Sequence, residues 1–553
     1  MITHEVFNQV PPLVDYDVFG TDPVLAAAVE REGARWALDQ LGEFGRAAGT
    51  ADMIDAGRLA NEHGPILRTH DRVGNRIDEV EFHPAYHRFM ALSISHGLHS
   101  LPYERPAGEG GRVARDAAFM VVNQVEAGHS CPISMTTAVV PALQVEPGLA
   151  IEWEPKILSR EYQAPLGPLA SKAGVTMGMG MTEKQGGSDV RANASVATPT
   201  GDGVYELVGH KWFVSAPMSD GFLVTGQAPG GITCFLLPRM LADGTRNGIR
   251  IQRLKDKLGN TSNASSEMEF ERAIVYRVGE EGRGVRTIIE MVNNTRLDCV
   301  VGSAGLMRQA VAQAAWHAAH REAFGAALID KGLMQNVLAD LEVEVEVATL
   351  LMMRLSGAFD RAALDPAEEA FRRLATPVIK YWVSKRCTDV VREAMECLGG
   401  NGYAEESVMP RLFRESPVNA IWEGSGNVIA LDTLRAMATA PAATEAFVGE
   451  LDGARGIDTR LDAAIDRVGS AIAEMAGGEA GARRLVEQLA VTLGAALAIR
   501  FGDPHVADAF VSSRLTGDHG HLFGTLDPGL PLATIARRAV PDVQSGIQPP
   551  GCM

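Results

Sequence analysis

The spacing of apolar residues divides the first half of the chain into a helical and a strand-forming region. In residues 1–180, apolar positions recur at helical spacing over 23–41 and 113–127, which predicts helices there. Over residues 181–283 the pattern changes to short runs separated by Gly- and Pro-containing turns, which predicts a compact antiparallel β domain. The predicted strands cover residues 205–215, 221–225, 232–237, 249–254 and 267–270.

The rest of the chain is predicted to be helical. Apolar periodicity with short joints over residues 284–438 predicts a four-helix bundle domain. Its helices are expected at residues 285–320, 333–359, 367–398 and 428–437. An Ala/Thr/Pro stretch at 438–444 predicts a linker, after which residues 439–553 form a helical C-terminal extension. The predicted fold class is therefore mainly α with one β domain.

Composition and charge narrow the class of protein. The 553 residues carry a formal net charge of -18, which works against non-specific binding to nucleic acid or anionic membranes. The N-terminus does not resemble a signal peptide, and no stretch approaches the ~20 apolar residues of a membrane helix, so we expect a cytoplasmic protein. The six cysteines form no CxxC pair, which predicts free thiols rather than a disulfide framework or a metal site.

A glycine-containing segment, residues 177–190, lies where helix gives way to strand. Thr182 and Ser188 offer hydroxyl groups, and Gly186 and Gly187 let a ligand approach the backbone N–H groups closely. Such donors suit a ligand rich in acceptors, for example a flavin, whose reduced ring they would stabilise. A purely structural Gly-Gly turn is the alternative interpretation.

The strand that follows carries bulky residues in the segment GHKWFVS, 209–215. Phe213 stands two positions before Ser215, and an aromatic ring there can cover one face of a flavin. The simpler interpretation is an ordinary half-buried strand.

A carboxylate, Glu423, stands between Trp422 and a Gly-Ser-Gly turn. A carboxylate beside apolar groups loses hydration, which suits a general base. Asn427 is a candidate N-cap of the next helix, whose start favours anionic groups. An acid in a surface loop is the alternative.

Two further motifs point to cofactor contacts. The segment LGGNGY, 398–403, ends a long helix in glycines, either as a plain helix stop or as a place of close approach. Arg321 and Phe324 lie one turn apart at another helix end, where an arginine could bind a pyrophosphate or form a surface ion pair.

Taken together and in this order, these motifs resemble the acyl-CoA dehydrogenase superfamily over residues 50–438. MTEKQGGSDV is similar to its flavin loop, KWFVS to the strand beside the flavin, RxxFGxxL to an adenosine-side motif and IWEGSGN to the turn with the catalytic base. VFNQVPPL (6–13), LKDKLGNTSNAS (254–265), PVNAIWEGSGN (417–427) and the C-terminal extension resemble the AidB-type branch in particular.

The resemblance implies FAD as cofactor, a homotetramer and a fold made of a helical domain, a β-barrel-like domain and a four-helix bundle. Glu423 takes the role of the base, since Thr295, which precedes Arg296, cannot serve as the base that some members carry there. The residues implied to bind FAD are Met181, Thr182, Glu183, Lys184, Gln185, Gly186, Gly187, Ser188, Asp189, Val190, Phe213, Val214, Ser215, Arg321, Phe324, Ile421, Trp422, Gly424, Ser425, Gly426 and Asn427.

The AidB-type branch also implies a role in the DNA alkylation response. Weak acyl-CoA dehydrogenase activity, destruction of alkylating agents and binding of double-stranded DNA are expected, with Arg435 and Arg514 as candidate DNA contacts. From residue 441 onwards, however, nine Arg and no Lys stand against fourteen acidic residues, a balance of −5, whereas DNA-binding domains are usually basic. A conventional acyl-CoA dehydrogenase that passes electrons to an electron-transfer flavoprotein, or a DNA-binding scaffold with structural FAD, are the alternatives.

Overall fold

A computed structural model describes residues 3–474 and 478–543. Most of this part of the chain is helical. The helices are α1 (Pro23–Arg31), α2 (Leu38–Ala48), α3 (Ala51–Glu62), α4 (Pro84–Ser95), α5 (Leu101–Glu104), α6 (Gly111–Val125), α7 (Ser130–Leu143), α8 (Pro147–Ile157), α9 (Gly284–His320), α10 (Gly332–Arg361), α11 (Pro366–Cys397), α12 (Gly400–Tyr403), α13 (Met409–Glu415), α14 (Gly426–Thr439), α15 (Pro441–Asp452), α16 (Thr459–Glu474), α17 (Gly478–Phe501), α18 (Pro504–Phe510) and α19 (Leu532–Arg538).

The strands form one large sheet and two small hairpins. They are β1 (Ile66–His70), β2 (Arg76–Glu81), β3 (Met177–Gly180), β4 (Val196–Gly201), β5 (Val204–Ser215), β6 (Gly221–Ala228), β7 (Gly231–Pro238), β8 (Ile249–Leu254), β9 (Ser265–Val278), β10 (Glu322–Ala323) and β11 (Ala326–Ala327). The β1–β2 hairpin was missed by the sequence interpretation, which treated its region as helix and loop.

The four predicted bundle helices correspond to α9, α10, α11 and α14. The predicted linker at 438–444 is wrong, because α14 ends at Thr439 and α15 begins at Pro441. A proline at the first helical position has a suitable φ and loses no hydrogen bond, so Pro441 starts a helix here. The predicted helix at 23–41 is also two helices, interrupted at Gly33, whose φ is 96°.

Contacts between residues divide the described chain into two compact units. Unit 1 contains residues from 1–54, 105–125 and 299–553, and unit 2 contains residues from 55–104 and 126–298. The domain boundaries at 180, 283 and 438 stay a prediction. No helix in the described ranges combines the length and the apolar character that crossing a membrane requires.

Unit 1 joins the bundle helices to the C-terminal extension. Helix α10 packs against α11, α17 and α19, and α11 packs against α14, α15 and α17. An ion-pair network reinforces this packing: Arg354 contacts Glu368 and Glu450 at 2.8 Å each, and Arg500 contacts Glu450 at 2.7 Å. The extension is therefore an integral part of this unit.

Unit 2 is built around a seven-stranded sheet, in the order β3-β5-β4-β6-β7-β9-β8. The additional pairing of β5 with β9 closes the sheet into a barrel, whose core contains Phe222, Phe235 and Phe270. The predicted barrel-like domain is thus present, but it is not purely antiparallel, because β3 runs parallel to β6.

Two register shifts in β5, one beside Gly209 and one between Lys211 and Val214, change which side chains face the core. Lys211 and Val214 both point inward and are fully buried, whereas Phe213 between them is 50% exposed. Simple alternation would have placed residues 211 and 213 on the same face. The bulges therefore give the strand a buried lysine and an outward aromatic ring.

Candidate cofactor and catalytic sites

The predicted flavin loop, residues 181–190, follows β3 and lies beside the end of β5 in unit 2. Met179 pairs with Ser215 across these two strands, and the Trp212 N–H donates to the carbonyl of Thr182 at 2.8 Å. The loop and the 213–215 segment, which were inferred from separate motifs, are therefore brought together.

A buried ion pair connects this loop to β5. Glu183 and Lys211 are fully buried, and Lys211 Nζ lies 2.7 Å from Glu183 Oε1. Burial alone would raise the pKa of Glu183, but the hydrogen bond and charge of Lys211, together with the bonds from Ala194 and Ser195, lower that pKa. The Glu183 side chain therefore holds the loop, and only its backbone is left for the cofactor contact that the sequence predicted.

An amide side chain that the sequence interpretation missed closes the other end of the loop. Asn193 donates to the Met181 carbonyl at 2.9 Å and accepts from the Gln185 side chain at 2.8 Å. No motif in the sequence marks Asn193, because its role depends on where the loop returns to the barrel.

The tip of the loop is open to a ligand. Lys184, Ser188 and Asp189 are exposed, and a Cβ placed on Gly186, whose φ is 130°, would have nothing within 4 Å. Gly187 lies against Thr182, with only 2.4 Å between its would-be Cβ and the threonine hydroxyl. The Gly186 N–H already donates to the Glu183 carbonyl at 3.0 Å, so the Thr182 and Ser188 hydroxyl groups are the donors that fit a ligand with many acceptors.

On β5, the predicted contacts differ in what they can offer. The Phe213 ring is half exposed, with Lys255 Nζ 4.5 Å from its centroid. Val214 is fully buried in the barrel, so only its backbone is available to a ligand. The ring of Phe213 is thus the one large apolar surface that this segment presents.

Glu423 lies in unit 1, in a turn between a short 3-10 segment and α14. Its own φ is 58° and that of Gly424 is 110°, so both residues adopt backbone conformations that are rare outside glycine. Trp422 Nε1 donates to the Asn419 side chain at 2.9 Å, which fixes the indole against the turn. Such a conformation persists only where the surroundings enforce it.

Lys380, on α11, provides that enforcement and was missed from the sequence. It is 1% exposed, and its Nζ donates to the carbonyls of Asn419, Trp422 and Gly424 at 3.0 Å each. The bonded carbonyls lie on both sides of Glu423, so this ammonium fixes the peptide planes that aim the carboxylate. A lysine on an apolar helix face was the available signal, but nothing in the sequence shows its partners.

The start of α14 differs from the prediction in one respect. Ser425, not Asn427, is the N-cap residue, and its hydroxyl caps none of the first N–H groups. Asn427 lies within the first turn, and its Oδ1 accepts from Arg483 Nε at 2.8 Å. Because Gly426 already has helical geometry, the N-cap falls two residues earlier than expected.

The structure does not bring Arg321 and Phe324 to this turn within one chain. The Arg321 guanidinium donates to the Asn8 carbonyl, and Phe324 is 97% exposed on the β10–β11 hairpin. Asn419, which belongs to the Glu423 turn, lies beside Gly302 of α9. Arg321 comes nineteen residues after Gly302 in the sequence. At about 1.5 Å per residue this is roughly 28 Å along the helix axis.

The two predicted DNA-contacting arginines have opposite environments. Arg435 is exposed on α14 and has no ion pair among the described residues. Arg514 is only 6% exposed and pairs with Asp340 and, at 2.8 Å, with Glu344. Arg514 is thus an internal structural residue, which corrects its predicted role as a DNA contact.

Comparison with known families divides the chain into three matched segments. Residues 8–164 match the adaptive response protein AidB N-terminal domain. Residues 178–273 match the acyl-CoA dehydrogenase middle domain, and residues 282–438 match the acyl-CoA dehydrogenase C-terminal domain.

Individual relatives extend the match over nearly the full length. The chain is 45% identical to the putative acyl-CoA dehydrogenase AidB of Escherichia coli over 92% of this chain and 94% of that protein. It is 33% identical to acyl-CoA dehydrogenase family member 11 of Caenorhabditis elegans, over 78% and 72% of the two chains.

A solved structure, Caenorhabditis elegans ACDH-11 in complex with C11-CoA, superposes with a TM-score of 0.82 at 27% identity, covering 97% of this chain and 93% of that one. These findings confirm the predicted fold class and make the chain an FAD-binding flavoprotein, as the sequence predicted, because members of this family bind FAD. With 45% identity over 94% of the bacterial relative, the chain belongs to the AidB branch of the acyl-CoA dehydrogenase family.

Proposed function

We propose that the chain is an FAD-dependent oxidoreductase that acts on the CH–CH bond next to the thioester of an acyl-CoA, with Glu423 as the base. The observation that carries this proposal is the Glu423 turn, a half-buried carboxylate held in a φ of 58° with Lys380 bonded to the carbonyls on both sides. Backbone held in a rarely populated conformation of this kind is typical of catalytic turns.

The residues present fit the cofactor. In unit 2 the exposed Ser188 hydroxyl and the ring of Phe213 offer a donor and the apolar face that an isoalloxazine needs. In unit 1 the start of α14 at Ser425 offers uncapped N–H groups to an anion. When bound, FAD supplies the hydride acceptor for the β carbon of the substrate.

The chain's own residues do the proton chemistry. A Glu423 carboxylate oxygen takes the proton from the carbon α to the thioester carbonyl, since that proton is the acidic one. Lys380 keeps the peptide groups on either side of Glu423 in place while the carboxylate changes charge. A base held in one orientation avoids the entropic cost of finding it for each turnover.

The test is the visible absorption spectrum of the purified protein, followed by anaerobic addition of undecanoyl-CoA. We expect a bound flavin that is bleached by the acyl-CoA, and loss of bleaching in Glu423→Gln with the flavin still bound. Glu405→Gln, at an exposed acid of the same unit, is the matched control and should bleach normally. A colourless protein that takes up no FAD would refute the proposal, whereas fast turnover with an electron-transfer flavoprotein would favour the conventional dehydrogenase.

We further propose that the chain binds double-stranded DNA in an alkylation response, in keeping with the adaptive-response name of its matched N-terminal family. Arg435 is the contact that the structure supports, because its charge is exposed. By contrast, six of the nine arginines in the extension form ion pairs with acidic residues, namely Arg455, Arg460, Arg500, Arg514, Arg537 and Arg538.

A salt series of duplex binding tests this second proposal. Removing one phosphate contact lowers the slope of log K against log salt by about 0.9, so Arg435→Gln should show this loss. Arg514→Gln should lower stability without changing the slope, because that charge faces Asp340 and Glu344. No duplex binding at low salt would remove the DNA proposal, and unaltered decay of a methylating agent in the presence of the protein would remove the proposed destruction of alkylating agents.

A homotetramer remains our proposal for the assembly. Arg321, which follows the last residue of α9, lies roughly 28 Å along that helix from Gly302, beside the Glu423 turn, so the predicted cofactor contacts of Arg321 and the exposed Phe324 fit a cofactor held by a neighbouring copy. Light scattering on the wild type measures the oligomeric state, and FAD titration of Phe324→Ser measures what that ring contributes to cofactor binding. A wild-type monomer, or a Phe324→Ser variant with unchanged FAD affinity, would contradict it.

A further inference from the structure

Two cationic side chains from different helices converge on Gly426, at the start of α14. Lys385 comes from α11, and Arg483 comes from α17 in the C-terminal extension. Lys385 Nζ lies 3.0 Å and an Arg483 terminal nitrogen 3.1 Å from the position that a Cβ would take on Gly426. The two charges are therefore close neighbours, and the absence of a side chain at residue 426 lets them be so.

No carboxylate balances this pair. Neither Lys385 nor Arg483 has a salt bridge within 4.0 Å among residues 3–474 and 478–543, and the hydrogen bond of Arg483 goes to the neutral Asn427 side chain. Burial and then the charge of Arg483 lower the pKa of Lys385. The environment thus disfavours two positive charges unless an anion joins them.

Several other cations of the same unit have carboxylate partners, although the exposed Arg435 has none among the described residues. Arg354, Arg500, Arg514 and Arg538 all have carboxylate partners. What distinguishes Gly426 is that two cations without a salt bridge converge on one place. The pair also lies at the N-terminal end of a fourteen-residue helix whose N-cap hydroxyl makes no capping bond, and this helix end adds its own attraction for a negative ligand.

We propose that Lys385 and Arg483 bind the diphosphate of the dinucleotide cofactor, so that the C-terminal extension supplies part of the cofactor site. A diphosphate matches two cations better than a single carboxylate does, because it carries two charged groups with several acceptor oxygens. The proposal rests on the proposed function, since it assigns these residues to FAD. Arg483 lies outside the matched dehydrogenase domain, residues 282–438, so the family match by itself does not assign it.

The experiment compares FAD and riboflavin binding to apoprotein by quenching of flavin fluorescence. Riboflavin has the same ring but no phosphate. We expect Lys385→Met and Arg483→Gln each to weaken FAD binding about tenfold, as for the loss of a charge-assisted hydrogen bond, and to leave riboflavin binding unchanged. Arg484→Gln, the exposed neighbouring arginine on α17, is the control with unchanged FAD affinity.

The outcomes separate this inference from the proposed function. Wild-type apoprotein that binds neither flavin would refute both. Wild type that binds FAD, with both variants equal to it, would overturn the diphosphate site alone. A duplex titration of the same variants covers the other source of phosphate: if Arg483→Gln lost DNA affinity but kept FAD affinity, the pair would belong to a nucleic acid backbone and the inference would fail. Circular dichroism and thermal melting of each variant exclude unfolding as the cause of a loss.

Discussion

The flavin loop and the Glu423 turn are each fixed by a buried lysine, but the two lysines bind different groups. In unit 2, Lys211 supports the flavin loop through an ion pair with Glu183. In unit 1, Lys380 supports the Glu423 turn through three carbonyl oxygens. Both side chains are 1% exposed, so burial alone does not distinguish them.

The difference lies in what is left behind when the lysine is removed. Without Lys211 a buried carboxylate loses its counter-charge, and an unpaired buried charge is among the most costly defects in a protein. Without Lys380 the turn loses the ammonium that bonds three of its carbonyls, so the peptide groups on both sides of Glu423 are no longer fixed. The first lysine should therefore matter chiefly for folding, and the second chiefly for the position of the base.

The largest expected effect is that of Lys211→Met on stability. The Glu183 carboxylate would keep neutral donors such as the N–H groups of Ala194 and Ser195, at 2.6 and 3.3 Å, but no counter-charge from Lys211. We expect the free energy of unfolding of the barrel unit to fall by about 3–5 kcal/mol, measured by urea denaturation.

The double variant Lys211→Met/Glu183→Gln sharpens this prediction. Because it removes both charges, it should regain most of the lost stability. If the single and double variants were equally unstable, the charge of Glu183 would not be the cause and the contrast with Lys380 would be unfounded.

The next effect is that of Lys380→Met on the reaction. The Glu423 carboxylate would no longer be fixed, and misplacement of a reacting group costs about 100-fold in rate. We expect the rate of flavin bleaching by undecanoyl-CoA to fall by that factor, with a smaller loss of stability than in Lys211→Met and little change in FAD affinity.

Val390→Ala is the matched control for Lys380→Met, because Val390 is fully buried on the same helix and lies ten residues away from the lysine. It should lower stability without slowing the bleaching. Equal slowing in both variants would show that general loosening of α11, and not the turn, is responsible.

The ion pair of unit 2 also predicts a pH dependence of stability. Burial raises the pKa of Glu183, but Lys211 together with the bonds from Ala194 and Ser195 lowers it, so that pKa lies below its ordinary value of 4.5 in the folded protein. A depressed folded pKa gives stability that is present above the unfolded pKa and is lost as the pH falls through the folded value. Wild type should therefore lose stability relative to Lys211→Met/Glu183→Gln as the pH falls below about 4.5, and urea denaturation at each pH measures this loss. A constant difference across this range would contradict the ion-pair account.

The sequence predicted where the glycine-rich loop and the Glu423 turn lie, but not the contacts that hold them in place. The glycine-rich loop and the Glu423 turn are local, and their residues are contiguous, so a motif reveals them. Lys211, Asn193 and Lys380 act over 28, 12 and 42 residues of separation, which only the folded chain brings to contact distance. Sequence also cannot tell a paired arginine from an unpaired one, which is why Arg514 was grouped with Arg435.

The smallest expected effects come from the glycines of the two segments. Gly186 and Gly424 have φ values of 130° and 110°, so alanine at either is strained and should cost about 1 kcal/mol of stability. Their further effects should differ: Gly186→Ala should weaken FAD binding at the loop tip, whereas Gly424→Ala should slow bleaching by moving Glu423. Gly203→Ala is the control, because Gly203 has a φ of 70° in the β4–β5 turn and a Cβ there would meet nothing within 4 Å. It should show the stability loss alone, measured by urea denaturation beside FAD titration and bleaching. If Gly424→Ala behaved like Gly203→Ala in all three measurements, the strained turn would have no role in aiming the carboxylate, and Lys380 would be a structural lysine of the same kind as Lys211.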